Sequence, residues 1–311
     1  MGFGSYSASD WTKLKESRKL SNTQSVSEVF KKQECDPKFD PRFIGTRECF
    51  DSADHPNTTP IVVGLDVTAS MGYLAVEIAT KALNELIMKL YSTGAVEDPA
   101  LMCAAYGDYQ DASPLQITQF ESDIRIAEQL LELYFENRGS GQVVPTCLWD
   151  YLSNHTNIDA INKRGEKGFV FTIGDKANIR QDYISQTLDR VIGDTPSKAP
   201  NTPRNLFKLF NPNYQITRED ILKQVEKKFN VFHIVVDSAP MKDSAFLHGH
   251  VMHINKSDIS IIPELIISTI QLQKGMSIDS VITQWDETSK QLISSVLKQL
   301  TIVRYNEDIN L

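Results

Sequence analysis

No stretch of the 311-residue chain approaches the roughly 20 consecutive apolar residues that a membrane-spanning helix needs, so no span is expected. Basic residues are in deficit: 32 Lys and Arg against 40 Asp and Glu leave a formal charge of -8. With no broad positive field to hold a phosphate backbone, nucleic acid is not an expected partner. Cysteine is scarce and scattered. Cys35, Cys49, Cys103 and Cys147 form no C-x-x-C pair, which argues against a zinc site and a secreted disulfide framework; reduced thiols are expected. A glycine-rich phosphate loop ending in Lys is missing as well, which argues against nucleotide hydrolysis. The opening Met1-Gly2-Phe3-Gly4-Ser5-Tyr6 has no basic-then-apolar leader pattern and has Tyr where N-myristoylation wants Ser or Thr, so a cytoplasmic location is expected.

What remains is an ordinary globular composition, 41% hydrophobic and 23% charged, in a chain long enough for one large α/β domain with attachments. Residues 1–60 read as an extension. Ser9-Asp10 predicts the start of a short helix over Trp11 to Leu20, Ser25 to Lys32 predicts another, and Cys35 to Pro60 reads as irregular chain. Then the pattern changes. Ile61 to Leu65 is a continuous apolar run suited to a strand covered on both faces, and Tyr73 to Tyr91 carries an apolar stripe at helical spacing. Leu101 to Tyr106 and Leu115 to Phe120 read as an antiparallel hairpin at a sheet edge, because their connection is too short for a parallel crossover.

A helix over Asp123 to Glu136, one over Cys147 to His155 and a strand over Gly168 to Ile173 follow. Next come a helix over Arg218 to Lys228 started by Thr217 and Asp220, strands over Val231 to Val236 and His250 to Ile254, and a helix over Ile259 to Gln273. Alternating units of this kind predict an α/β fold: a doubly wound, mostly parallel sheet with an antiparallel edge strand and helices on both faces. The domain is expected over 61–273, with an irregular proline-rich insertion at 193–216 and a C-terminal helical extension over 274–311, in which Ser277 to Leu300 reads as one amphipathic helix.

In an open parallel sheet the loops at the carboxyl ends of the strands converge on one crevice. Leaving the first strand are Asp66, Thr68 and Ser70, leaving the strand at 168–173 is Gly174-Asp175, and Pro145-Thr146 precedes an intervening helix. Two carboxylates and three hydroxyls, with no imidazole or thiolate, are the ligand set of a hard cation such as Mg²⁺, with Mn²⁺ or Ca²⁺ as alternatives. Neutral hydroxyls keep the site's own charge low, so a bound cation stays electrophilic and can take a carboxylate from another molecule. A plain helix cap at Thr68 and Ser70 is the simpler reading of that loop alone. His248-Gly249-His250 with His253 is expected to be packed or solvent-facing, since alternation along a strand would splay the rings.

Asp66-Val67-Thr68-Ala69-Ser70-Met71-Gly72 resembles the D-x-S-x-S element of von Willebrand factor A domains, and Asp175 after its apolar strand resembles their later metal-site aspartate. The resemblance covers roughly residues 60 to 273. It implies that Asp66, Thr68 and Ser70 form the first ligand loop, Thr146 the second and Asp175 the third, directly or through water; Thr68 replaces the commoner serine and keeps a hydroxyl. Gly139 to Thr146 loosely resembles the glycine-rich, proline-containing loop of intracellular members, and Ala105 to Asp111 the second-strand exit of that branch. Asp108 would then lie near the metal face, either behind the ligands or in contact with a partner. The implied function is a metal-dependent protein-binding module taking an acidic side chain of its partner. The intracellular bacterial and phage members suggest an adaptor in a cytosolic multi-protein system, with AAA+ ATPases among the partners.

Phe207, Phe210 and Tyr214 in the insertion are expected either to touch that partner or to pack on the domain. From another class, a phosphohydrolase of the haloacid dehalogenase type would use Asp66 as nucleophile with Asp175 and Asp182 on Mg²⁺. That chemistry wants a carboxylate two residues after the nucleophile, where this chain has Thr68, which tells against catalysis. A metal-free scaffold is the third reading.

Overall fold

The computed structural model of the protein describes residues 5–136, 142–175, 184–193, 202–210, 214–237, 245–247 and 249–300. In the front section, α1 (Ala8–Arg18) starts earlier than its sequence suggests, because Ser7 rather than Ser9 supplies the cap and accepts from Asp10 N at 3.2 Å. Helix α2 (Val26–Val29) is a single turn held by a reciprocal capping box between Ser25 and Glu28. The irregular stretch that follows contains one strand the sequence pattern does not signal, β1 (Arg47–Cys49).

Strand β2 (Thr58–Asp66) is buried along nearly its whole length, as a strand flanked by helices on both faces must be. It leads into α3 (Gly72–Glu77), a π-helical turn at Ile78–Ala82 and α4 (Leu83–Thr93), ended by Gly94 in the left-handed conformation. Strands β3 (Asp98–Tyr106) and β4 (Leu115–Ile117) pair antiparallel, as the short connection requires.

Helix α5 (Arg125–Leu130) is less than half the helix expected over 123–136. The reason is local: the Gln116 side chain takes both Tyr134 N (2.9 Å) and Tyr134 O (2.6 Å), and Phe135 stacks on Phe30 with ring centroids 3.9 Å apart. These contacts hold residues 134–135 outside any helix, against β4 and the end of α2.

Helix α6 (Pro145–Asn154), β5 (Thr156–Ile158), α7 (Asp159–Arg164) and β6 (Gly168–Gly174) come next, and β5 pairs in parallel with β1 as a separate small sheet. Helix α8 (Ile184–Val191) precedes the proline-rich insertion, which is not wholly irregular: Pro203–Phe210 forms α9. Helix α10 (Arg218–Val225) begins with the expected Thr217–Asp220 capping box. Strands β7 (Phe229–Val236) and β8 (Val251–Ile254) and helix α11 (Ile262–Gln273) complete the alternation. The expected single tail helix is two, α12 (Ile278–Ile282) and α13 (Glu287–Leu297). Asp286 caps the second by accepting from Thr288 N and Ser289 N, and Trp285 Nε1 pins the break to Ser268 Oγ on α11 at 2.8 Å.

The main sheet has the order β4-β3-β2-β6-β7-β8, parallel except for β4, so the α/β doubly wound architecture expected from the alternation is present. Successive residues of β2 enter opposite cores: Ile61, Val63 and Leu65 face one containing α4, α11 and α13, whereas Val62 faces another containing α6, α8 and α10. Trp11, Leu14 and Phe30 of the front section belong to the first core, so these residues brace the sheet. At the β8 edge, the Gln299 amide occupies His253 N and O, which blunts that edge toward strand addition. Among the described residues no helix is long and apolar enough to cross a membrane.

Candidate metal centre

Reversal of strand order at β2 opens a crevice at the carboxyl ends of β2, β3 and β6, and the candidate residues stand on its rim. Asp66 is the last residue of β2, opposite Tyr106 on β3; Leu65 lies opposite Ile173 on β6. Gly174 therefore comes beside Asp66, and only the absence of a side chain permits the fit. A Cβ on Gly174 would lie 2.9 Å from Asp66 Cβ and 3.0 Å from both Asp66 Oδ2 and the Tyr106 hydroxyl. Asp175, next along the chain, is half-buried at the same rim.

The first loop folds onto its own carboxylate. Thr68 N and Thr68 Oγ1 both donate to Asp66 Oδ1, at 2.8 and 2.6 Å, and Thr68 Oγ1 lies 3.4 Å from Ser70 Oγ. Asp66 and Thr68 are buried, while Ala69 and Ser70 are exposed, so the cluster opens to solvent on the Ser70 side. The cap at the start of the following helix, the simpler reading, is not what Thr68 does: it makes no side-chain cap bond to the turn after it.

The Tyr106 hydroxyl donates to Ile173 O at 2.9 Å, and its pKa is pushed well above the ordinary phenol value, first by burial and then by the charges of Asp66 and Asp175. Two carboxylates from separate strands thus bear on one buried phenol. Tyr73, at the start of α3, is raised by burial and by Asp175 and Asp237. Asp237 follows β7 with φ 57°, a left-handed conformation that Asp tolerates better than most residues. No motif points to Tyr106 or Asp237, and the sequence marks Gly174 only as the strand exit before Asp175; an Asp directly after the apolar run ending at Val236 is the available signal for Asp237.

The second loop arrives at the exit of β3. Val143 bridges Asp108, Val144 N donates to Gly107 O at 3.1 Å, and α6 then begins, setting Thr146, which is buried, in its first turn. Asp108 is buried too. Its Oδ1 accepts from Gln110 N and its Oδ2 from Gln142 N, both at 3.0 Å, so it fastens the two loops together. Of the two roles expected for Asp108, behind the ligands or in contact with a partner, neither is tested by these bonds, which hold it within the domain.

The remaining candidates lie elsewhere. Phe210 is 85% exposed on α9, beside Leu209 at 72%. Phe207 belongs to the same helix, with its side chain outside the described residues. The Tyr214 hydroxyl donates to Asp220 Oδ2 at 2.8 Å and its ring packs against the second core, so it is occupied within the domain. Asp182, His248 and residues 139–141 lie outside the described residues. His250 Nδ1 lies 2.9 Å from Val231 O, and His253 is exposed, in line with packed or solvent-facing rings. Among the described residues no three His, Cys, Asp or Glu gather as a metal would need, so a cation at the rim would depend on hydroxyls as well as on the two carboxylates.

The class this arrangement defines is a doubly wound α/β protein with an oxygen-lined crevice at its strand ends. No family model matches the chain, and no curated protein does. Solved structures with a similar fold include the pilus adhesin SpaC of Lactobacillus rhamnosus GG in its open conformation: 8% identity, TM-score 0.45, 73% of this chain and 31% of that one. Proximal thread matrix protein 1 of the mussel byssus, with a zinc-occupied MIDAS motif, is 11% identical at TM-score 0.43, covering 73% of this chain and 50% of that one. The von Willebrand factor domain of the type V pili tip protein Mfa5 of Porphyromonas gingivalis is 13% identical at TM-score 0.38, covering 75% and 98%. This chain spans less than two thirds of the first two. At such identities and scores the fold is stated from its own strand order and register.

Proposed function

We propose that the chain is a metal-dependent protein-binding module of von Willebrand factor A type. The observation that carries the reading is that Asp66 ends β2 and Asp175, 109 positions later in the numbering, follows β6, the strand paired in parallel beside it, so that the two carboxylates leave neighbouring strands at one rim with Gly174 packed against Asp66. The donor set fits a hard divalent cation: two carboxylates with neutral hydroxyls, one side open to solvent, and a glycine where a methyl would intrude. Asp66, Thr68, Ser70, Thr146 and Asp175 would hold Mg²⁺, directly or through water, and the bound cation would supply an electrophilic position for a carboxylate from a partner protein. Thr68 orients the Asp66 carboxylate through its two hydrogen bonds, Tyr106 and Gly174 fix how closely β3 and β6 approach it, and Asp108 ties the second loop in place.

The finer reading, an adaptor in a cytosolic multi-protein system with an AAA+ ATPase among its partners, rests on the sequence resemblance of Asp66 to Gly72 and of Ala105 to Asp111 to intracellular members of that family. Calorimetric titration of Mg²⁺ into chelator-treated protein tests the site. Heat of binding is expected for the wild type and at least a tenfold loss of affinity in Asp66→Ala and in Asp175→Ala; unchanged affinity in both variants removes the site.

A further inference from the structure

A cleft of about 660 Å³ runs beside the candidate metal loop, between the front section and α3. Its lining includes Ala69, which stands between Thr68 and Ser70 in the candidate ligand loop, and Tyr73. The front section is seated directly against α3 here: a Cβ on Gly72 would come within 2.6 Å of Val26 Cγ2. We infer that this cleft receives the segment of the partner that flanks its metal-seeking carboxylate: a short, extended acidic peptide carrying a large apolar or aromatic side chain close to the acid. The inference rests on the metal-dependent reading above and adds to it the part of the surface that selects the partner.

Three properties of the lining fit that occupant. Half-buried Tyr73 and Tyr134 line the cleft over the buried, stacked rings of Phe30 and Phe135 and offer aromatic surface on which an apolar side chain can pack. Ser27 and Gln24 on the α2 side supply hydroxyl and amide groups, which an extended peptide needs because its main-chain N–H and C=O must be satisfied when they leave water. Lys32 in the lining, 44% exposed at its side chain and 3.9 Å from Asp36, adds a positive charge, and Glu136, also in the lining, accepts from Ala112 N at its Oε2. The volume lies inside the roughly 300–1,000 Å³ range of ligand pockets. Continuity with Ala69 is what joins the two parts. A chain lying in the cleft would pass Ala69, next in sequence to the exposed Ser70, and so bring an acid on it toward the loop that would hold the cation.

The test uses the full chain and a phage-displayed peptide library with a fixed central Asp, selected in Mg²⁺, with the recovered peptides measured by fluorescence polarisation. Ser27→Trp puts bulk into the cleft from an exposed lining position, and Lys32→Glu reverses a charge in the lining; neither residue is placed among the metal-holding groups. Expected are peptides with an apolar or aromatic residue at a fixed offset from Asp, at least tenfold weaker binding to Ser27→Trp, about threefold weaker binding to Lys32→Glu, loss of binding in EDTA, and wild-type Mg²⁺ affinity in both variants by calorimetry. Three outcomes overturn the inference while the metal site stands: Mg²⁺ binding with no peptide recovered, peptides with no preference beside Asp, or EDTA-sensitive binding that is equal in wild type and Ser27→Trp. Absence of Mg²⁺ binding in the wild type overturns the metal reading itself, and the inference with it.

Discussion

Replacing Gly174 by alanine isolates the geometry of the crevice from the general stability of the sheet. The added methyl would stand 2.9 Å from Asp66 Cβ and 3.0 Å from Asp66 Oδ2 and the Tyr106 hydroxyl, where ordinary contacts run from 3.4 to 4 Å. Carboxylate and phenol must therefore give way by roughly half an ångström, an overpacking cost of about 1–3 kcal/mol. The lower chain entropy of the unfolded alanine variant offsets about 0.4–1 kcal/mol of that. Mg²⁺ tolerates little distortion of its octahedral shell, so a carboxylate displaced this far should lose at least one decade of affinity, about 1.4 kcal/mol.

Gly168→Ala is the control: it lies at the other end of β6, where the methyl would meet Pro60 O at 2.6 Å, and the strand rise puts it roughly 20 Å from the crevice. Urea denaturation in EDTA should show both variants destabilised, whereas calorimetry should show weaker Mg²⁺ binding only in Gly174→Ala. Equal destabilisation with wild-type Mg²⁺ affinity in Gly174→Ala would refute the placement of Asp66 among the ligands.

Three further outcomes follow from the structure. His233 is buried in β7, beside Thr172 Oγ1 at 2.8 Å, and burial, with a smaller push from His253, lowers its pKa from 6.5 to about 4. A folded-state pKa below the unfolded value gives stability that is present above pH 6.5 and lost as the pH falls toward 4. About 2 kcal/mol should disappear between pH 7 and pH 5 in urea melts, and a His233→Asn variant should lose less over the same interval. Cys49, Cys103 and Cys147 are buried, and burial raises their thiol pKa values, to about 12 for Cys49 and Cys103, so Ellman's reagent should react quickly with them only after denaturant is added; rapid reaction of the native protein at these positions would contradict the packing. Paired Leu209→Ser and Phe210→Ser substitutions on the exposed face of α9 should change folding stability by no more than about 0.5 kcal/mol each; a loss above about 2 kcal/mol for the pair would mean that this face is buried.

Much of the fold was legible because its information is local. The β-branched runs of β2, β6 and β7 specify strands covered on both faces, the short connection after Tyr106 forces an antiparallel pair, and Thr217 with Asp220 marks the start of α10. Sequence reading failed where a distant partner overrode local preference. Gln116 and Phe30 hold residues 134–135 outside the helix and cut α5 short, Trp285 on Ser268 breaks the tail into two helices, and β1 exists because β5 comes alongside it.

By itself, then, the sequence determined the alternation of elements, the burial of the central strands and the oxygen-rich character of the strand-end loops, since periodicity and residue type depend only on neighbours along the chain. Tertiary structure alone decided that the strands ending at Asp66 and before Asp175 lie side by side, that Gly174 lets β6 close on Asp66 and Tyr106, that Asp108 turns inward to fasten two loops, and that the front section makes a cleft beside the ligand loop. Those relations depend on strand order and on which face each helix covers, and both are settled only when the whole core packs at once.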